Sequence, residues 1–112
     1  MSEFRYTSAE AAKRAAANQV EPYAVMLQRG TLELGFYAPS EVDLQQPHDQ
    51  DEVYLILSGT GRFSNDGVVT DFGPGDALFV PAGVDHRFLE FTDDIEMWVV
   101  FYGPSGGEVP DI

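Results

Sequence analysis

The side chains with which this sequence could do chemistry begin in one short stretch that holds Gln46, His48, Glu52 and Tyr54. An imidazole and a carboxylate are ligand types that suit a divalent metal ion. Side chains alternate faces along an extended chain, so these even-numbered positions point the same way if no bulge intervenes. The stretch therefore predicts one polar face that could hold a metal.

The elements that must position this face follow directly in the chain. The run Val53–Leu57 is β-branched, aromatic and apolar, and the turn residues 58–61 close it, which predicts a buried strand. The second histidine, His86, comes later. Turns at Gly73–Asp76 and Pro81–Gly83 bracket an apolar strand, and His86 opens the strand after them. Both histidines are therefore expected at strand starts beside turns.

The first stretch resembles the first of two sequence motifs of the cupin superfamily. That motif combines His-x-His, a glutamate and a closing glycine, and Gln46-Pro47-His48, Glu52 and Gly59 stand in those places. Gln46 thus replaces the usual first histidine. Gly35 precedes the motif at a longer spacing than the family has.

The second stretch resembles the second cupin motif, with matches at Gly75, Pro81, Gly83 and His86, and with Glu90 where asparagine is usual. Two motifs in the family's order imply its fold, an all-β double-stranded β-helix, or jelly-roll barrel, here with a short N-terminal helix. Short strands separated by Gly and Pro turns predict an all-β barrel or jelly roll independently of the resemblance.

The resemblance implies a metal site inside one mouth of the barrel, with His48, Glu52 and His86 as ligands. Two imidazoles and one carboxylate leave open positions on a divalent first-row metal, at which substrate, water or dioxygen can bind. Gln46 is the expected fourth ligand, weaker than an imidazole, and Gln45 is the alternative if the chain bulges before His48. The ion expected is iron, manganese, nickel or zinc.

A substrate pocket is expected around side chains that share the parity of a ligand. Tyr54 shares the parity of Glu52, and Phe88 and Glu90 share that of His86. Glu52 and Tyr54 are the candidate catalytic residues. Glu52 or Glu90 would move a proton, and Tyr54 would donate a hydrogen bond to the substrate.

Three functions fit these residues. The first is a small metal-dependent oxidoreductase of the dioxygenase kind, acting on a small organic molecule. The second is metal-assisted isomerase, lyase or cyclase chemistry, with the ion as a Lewis acid. The third is a barrel that binds a small ligand without catalysis. Whether the protein is an enzyme therefore stays open at the level of sequence.

The overall charge limits the partners that the protein can have. Nineteen acidic and six basic residues give a net charge of −13, which repels nucleic acid and anionic membrane surfaces. Arg62 and Arg87 are the only basic residues between the motifs, so a neutral or aromatic small molecule is favoured over a phosphate or polycarboxylate. No apolar run approaches the roughly twenty residues that span a bilayer, and no secretory pattern is visible, so a cytoplasmic location is expected.

Three regions are expected along the chain: a helical extension over residues 1–20, the barrel over 21–103 and a mobile tail over 104–112. Thr7 and Glu10 resemble a capping box that opens an Ala-rich helix from Ser8 to about Asn18. The step Asp66-Gly67 predicts a hairpin turn.

The apolar side chains of Val53, Leu55 and Leu57 share the face opposite the metal ligands. This face is compatible with a homodimer that pairs sheets, and equally with packing inside one subunit.

Overall fold

The computed structural model describes residues 4–43 and 45–109. One helix precedes eight strands. Their bounds are α1 Ser8–Ala17, β1 Tyr23–Arg29, β2 Leu32–Tyr37, β3 Asp51–Ser58, β4 Gly61–Asn65, β5 Val68–Phe72, β6 Ala77–Val80, β7 His86–Leu89 and β8 Glu96–Tyr102. The predicted all-β architecture with a short N-terminal helix is confirmed.

The strands form two antiparallel sheets. The larger sheet has the order β1-β2-β8-β3-β6, and the smaller has the order β5-β4-β7. The apolar residues that face inward between them form the main core: Tyr37, Tyr54, Ile56, Phe63, Phe72, Val80, Phe88, Ile95, Met97 and Val99. The molecule is therefore a jelly-roll sandwich in which β3 and β7, the strands of the two sequence motifs, belong to different sheets.

Strand β3 alternates as the sequence predicts. Glu52, Tyr54 and Ile56 are buried, whereas Leu55 and Leu57 are about two-fifths exposed on the outer face. Phe79 of β6 pairs with Val53 of β3, so it lies on the same outer face. It is half exposed there. The larger sheet thus has a polar site and core on one side and an apolar surface on the other.

Helix α1 covers another part of that outer face. Thr7 caps it by accepting a hydrogen bond from the Glu10 amide at 3.2 Å, as the capping-box pattern indicates. Ala11 and Ala15 are buried against Phe36 of β2, and small side chains let the helix lie close to the sheet. Within the described residues, no helix is both long and apolar enough to cross a membrane.

The turn residues shape the ends of the smaller sheet. Asp66 and Gly67 have positive φ angles of 53° and 82°, the conformation that a two-residue hairpin turn needs. Strand β7 ends at Leu89, because Glu90 takes a φ of 48° and leaves the extended conformation.

The segment after β8 differs from the mobile tail expected from its composition. The Gly106 amide donates to the Asp49 carbonyl at 2.7 Å, and the Glu108 amide donates to Asp51 Oδ2 at 2.9 Å. The described part of this segment is therefore fixed against the residues that lead into β3.

Candidate metal centre

Three side chains from separate parts of the chain meet at one end of the barrel. Each of His48, Glu52 and His86 offers one ligand atom, and these atoms all lie within 4.8 Å of one another. Glu52 Oε1 and His86 Nε2 are 3.4 Å apart. This spacing allows a single cation to contact all three residues, as the resemblance to cupins implies.

The turn between β6 and β7 holds the two histidines in register. Its Gly83 amide donates to the carbonyl of His48 at 2.6 Å, and its Ala82 amide donates to Asp51 Oδ1 at 2.9 Å. His86 Nδ1 lies 2.9 Å from the carbonyl of Val84. If Nδ1 carries the proton and donates to that carbonyl, Nε2 is a free lone pair that faces Glu52.

Four ligating atoms of the cluster are buried without a hydrogen-bond partner: His48 Nε2, Glu52 Oε1, Glu52 Oε2 and His86 Nε2. Leaving such groups unpaired costs on the order of 1–3 kcal/mol each, so folded proteins normally satisfy them. A divalent cation among these atoms would satisfy all of them at once. The residues therefore fit a resident metal ion.

The electrostatics of the site point the same way. Burial raises the pKa of Glu52 to about 8; the nearby Tyr54 hydroxyl opposes this rise, and the negative charge of Asp43 adds to it. Burial, followed by the neighbouring His86, lowers the pKa of His48. The imidazole of His48 is therefore neutral at neutral pH and able to bind a metal ion.

Asp43 is a buried residue of the site that the sequence patterns do not reveal. It is 1% exposed, and its two carboxylate oxygens accept from Tyr37 Oη at 2.7 Å, the Phe88 amide at 2.8 Å, and both the amide nitrogen and Nε2 of Gln45. These donors come from β2, β7 and the loop before His48. Asp43 therefore ties that loop to both sheets.

Tyr54 occupies a different place from the one predicted. Its hydroxyl donates to Gln45 Oε1 at 2.7 Å, and its ring is fully buried in the core. Because the hydroxyl hydrogen is already used and the ring lies outside the cavity lining, Tyr54 is not placed to donate to a substrate.

The two glutamines before His48 have different surroundings in the structure. Residues 45–50 lie outside any strand, so the face of Gln46 cannot be deduced from parity with Glu52. Gln45 is engaged by Asp43 and Tyr54, whereas Gln46 is exposed and lines the cavity beside His48. Gln46 is thus the glutamine that remains available to the site.

Phe88 and Glu90 do not line a pocket with His86. Phe88 is buried among Tyr54, Phe63 and Phe72, with ring centroids 4.6 to 5.3 Å away. The side chain of Glu90 is 72% exposed and lies 3.6 Å from Arg62. The strand parity fails for Glu90 because its positive φ turns the chain out of β7.

A cavity of about 370 Å³ opens onto the His48–Glu52–His86 group, which is called the metal cluster below although it consists of side chains alone. Besides His48 and Glu52 its lining consists of Glu21, Tyr23, Glu33, Tyr37, Gln45, Gln46 and Phe101. Most of these residues come from β1, β2 and β8, which the two motifs do not include. Only the alternation of Leu32, Leu34 and Phe36 in β2, which leaves Glu33 on the opposite face, could have indicated any of them.

Gly35 of β2 makes room for part of this lining. A Cβ atom at Gly35 would overlap the hydroxyl group of Tyr23. That hydroxyl donates to Glu33 Oε2 at 2.7 Å. The absence of a side chain at Gly35 therefore lets Tyr23 lie flat across β2 and reach Glu33.

The fold and the cluster together define a jelly-roll protein with a two-histidine, one-carboxylate site. A family model described as "Cupin domain" matches residues 34–102, and the chain belongs to the cupin family.

One relative is similar over nearly the whole length. It is an uncharacterized protein of Streptomyces coelicolor, 36% identical over 107 residues, which cover 94% of this chain and 99% of that one.

Solved structures share the fold at lower identity. A cupin 2 conserved barrel domain protein from Salinispora arenicola has a TM-score of 0.66 at 18% identity, covering 92% of this chain and 90% of that one. A cupin superfamily protein from Desulfitobacterium hafniense has a TM-score of 0.60 at 23% identity, covering 71% and 74%. At these identities the structures support the fold alone.

Proposed function

We propose that this cupin binds a divalent first-row metal ion through His48, Glu52 and His86 and acts on a small organic molecule as a metal-dependent oxidoreductase of the dioxygenase kind. The observation that carries the proposal is the set of four buried, unpartnered ligating atoms, from three residues, within reach of one ion. Two histidines and one carboxylate with open positions are the ligand set typical of non-haem iron oxygenases.

The metal would supply Lewis acidity and, in the case of iron, redox chemistry with dioxygen. The chain's own residues supply the rest. His48 and Glu52 border the cavity, so a molecule bound there lies against the ligands. Gln46 lines the same wall and is the candidate fourth ligand, which a substrate can displace because an amide oxygen binds weakly.

Charge also favours a cation at this place. Glu52 and Asp43 are both buried, at 0% and 1% exposure, and no Lys or Arg of the described residues forms an ion pair with either. Because the pKa of Glu52 is raised to about 8, this carboxyl is mostly protonated at neutral pH when no ion is present. A divalent ion would favour its ionised form and supply the positive charge that the described residues do not.

A second candidate is non-oxidative metal-assisted chemistry, such as isomerisation, elimination or cyclisation. The favouring observation is Glu33, a half-buried carboxylate in the same cavity as His48 and Glu52. It could move a proton on a molecule held by the metal. Glu90, the other proton carrier that the sequence suggests, lies outside the cavity.

Metal titration followed by oxygen uptake tests these proposals. Calorimetry with Zn²⁺ and Mn²⁺ should show one tight site per chain, and His86→Ala and Glu52→Gln should each weaken it by about 100-fold or more. Glu90→Gln removes the same charge outside the cavity and should leave the affinity unchanged. Failure of the wild-type protein to bind any of these ions would falsify the metal site.

Protein loaded with Fe²⁺ without air is then mixed with a library of small metal-chelating molecules in an oxygen electrode cell. Oxygen uptake that matches substrate loss supports the dioxygenase proposal. Substrate turnover without oxygen uptake contradicts it and supports the second candidate. Ligand binding without turnover, retained in His86→Ala, would show a binding barrel and contradict both.

We also propose that two copies pair through the outer face of the larger sheet. Leu55 and Leu57 of β3 and Phe79 of β6 are 39–50% exposed and lie on adjacent strands of that face. These three side chains are apolar, although the chain as a whole carries a net charge of −13. A second copy of the same face would bury this apolar surface.

A further inference from the structure

The cavity above the metal cluster has a distinctive charge. Three of its lining side chains are carboxylates, Glu21, Glu33 and Glu52, and no Lys or Arg of the described residues lines it. Asp43 lies buried directly behind the wall formed by Tyr37 and Gln45. Glu21 and Glu33 lie outside the His48–Glu52–His86 cluster, so they keep this part of the cavity negative whether or not an ion is bound there.

Two hydrogen bonds hold the carboxylate of Glu33 in place. Its Oε2 accepts from Tyr23 Oη at 2.7 Å, and its Oε1 accepts from Gln28 Nε2 at 2.9 Å. Both donors are neutral, and no Lys or Arg of the described residues lies within ion-pair distance. The carboxylate is therefore fixed, half-buried and without a counter-charge, and its remaining lone pairs are free to accept.

Aromatic rings flank this carboxylate. Tyr23 and Tyr37 line the cavity with ring centroids 6.4 Å apart, and Phe101 lines it with its ring packed 4.8 Å from that of His48. Aromatic faces beside a carboxylate attract organic cations, because the ring quadrupole and the negative charge act in the same direction. The same walls offer apolar area for the body of a small molecule.

A second feature of the cavity is a set of buried polar atoms without partners. Glu52 lines it at 0% exposure with both carboxylate oxygens unpartnered, and His48 Nε2 beside it is unpartnered as well. Such groups are costly unless a ligand or ion satisfies them.

We infer that the cavity selects a small organic cation, a molecule with a protonated amine that pairs with Glu33 and an apolar or aromatic body that lies against Tyr23, Tyr37 and Phe101. This inference rests on the proposed function, since the molecule bound there would be its substrate. It narrows the substrate class from the neutral or aromatic molecule that the sequence favours to an amine. Anionic molecules are excluded by the same charges.

Three probes of nearly equal size test the charge preference: benzylamine, benzyl alcohol and benzoate. Each is titrated at pH 7 into protein treated with EDTA and, separately, into zinc-loaded protein, with binding followed by NMR chemical-shift changes. Benzylamine should bind about tenfold or more tightly than benzyl alcohol, because a charge-assisted hydrogen bond is roughly twice as strong as a neutral one. Benzoate should bind most weakly to the EDTA-treated protein, in which no ion can coordinate its carboxylate. Equal affinities, or tightest binding of benzoate, in the EDTA-treated protein would overturn the inference.

Glu33→Gln is the decisive variant, because glutamine keeps an acceptor for Tyr23 Oη and removes the charge. Its NH2 group can donate to the Gln28 side chain once that amide rotates to present its oxygen. It should reduce the preference for benzylamine over benzyl alcohol to about twofold or less. Glu90→Gln is the matched control outside the cavity and should retain the full preference. An unchanged preference in Glu33→Gln would overturn the inference, and Glu21→Gln, at an exposed position, provides a second variant if Glu33→Gln folds poorly.

The two proposals fail separately. If the EDTA-treated protein prefers benzylamine and that preference depends on Glu33, while no divalent metal binds, the amine site stands and the metal proposal is wrong. If zinc binds through His86 and the three probes bind equally, the metal site stands and the amine inference is wrong.

Discussion

The carboxylate of Asp43 and the hydroxyl of Tyr54 are joined through a single amide, that of Gln45. Tyr54 Oη donates to Gln45 Oε1 at 2.7 Å, and Gln45 Nε2 donates to Asp43 Oδ2 at 2.9 Å. The loop that carries His48 is thereby attached to β3, the strand that carries Glu52. The position of the candidate ligand His48 consequently depends on Asp43, which is not itself one of the three candidate ligands.

Replacement of Asp43 by alanine should lower the free energy of unfolding by about 3 kcal/mol, because the Phe88 amide, Tyr37 Oη and the Gln45 side chain lose a buried acceptor. Urea denaturation of the metal-free protein measures this effect. Asp93→Ala, at an exposed position, is the control and should change stability by less than about 0.5 kcal/mol. Similar losses in both variants would show that Asp43 does not hold the loop.

Zinc should raise the thermal stability of the wild-type protein, since an ion that binds only the folded state stabilises it. At a free zinc concentration 100 times the dissociation constant the gain is about 2.7 kcal/mol. Differential scanning calorimetry with zinc and with EDTA measures the difference. In His48→Ala the gain should disappear, and its persistence would place the ion elsewhere.

At high pH, the metal-free Glu52→Gln variant should be more stable than the metal-free wild-type protein. The pKa of Glu52 is raised from its ordinary 4.5 to about 8 in the folded state, so the folded protein binds more protons than the unfolded chain between these values. Stability therefore falls as the pH rises through this window. Glutamine does not titrate, so the variant should gain about 1 kcal/mol or more at pH 9 and less at pH 5.

Chemical denaturation in EDTA at the two pH values checks this expectation. Equal stabilities of wild type and Glu52→Gln at pH 9 would indicate that the folded protein accommodates the Glu52 charge by other means. Glu90→Gln, which changes an exposed carboxylate outside the site, is the control and should change the stability by less than about 0.5 kcal/mol.

Leu55→Lys should convert the proposed dimer into a monomer, because it places a charge in the centre of the apolar face. Val68→Lys is the matched control, since Val68 is 64% exposed on β5, away from that face. Light scattering after size-exclusion chromatography distinguishes the two states. A wild-type protein that runs as a monomer at micromolar concentration would contradict the proposal.

Gly35→Ala should disturb the cavity and spare the metal cluster. The added methyl group overlaps the Tyr23 hydroxyl, so Tyr23 must move away from Glu33, at a cost of about 1–3 kcal/mol in stability. Benzylamine binding should weaken, and the zinc affinity should stay the same. Gly73→Ala is the control, because a methyl group there meets only Thr60 Cγ2 at 3.8 Å.

Much of this fold follows from local patterns. The alternation in β3 places Glu52 inward and Leu55 outward, and the Asp66-Gly67 step makes the hairpin, because both depend on neighbouring residues alone. The family motifs bring in His48 and His86. Strand parity failed at Glu90, which leaves the strand at a positive φ. Gln46 lines the cavity as expected, although it precedes β3 and parity with Glu52 does not fix its direction.

The remainder of the site was out of reach of such patterns. Asp43 is defined by donors that are distant in the chain, and Tyr23, Glu33 and Phe101 join the cavity through the pairing of β1, β2 and β8. Phe88 points inward as its parity indicates, but the barrel interior there is filled by other aromatic rings. These positions depend on which strands become neighbours, which no short stretch specifies.

Glu52 belongs to the five-stranded sheet and His86 to the three-stranded one. No backbone hydrogen bonds join the two strands that carry them, so an ion bound to both side chains would cross-link the two sheets at the open end of the sandwich. Amide hydrogens of β4 and β7 should then exchange with solvent more slowly in the metal-bound protein. The bound ion would limit how far the two sheets can separate when the structure opens locally.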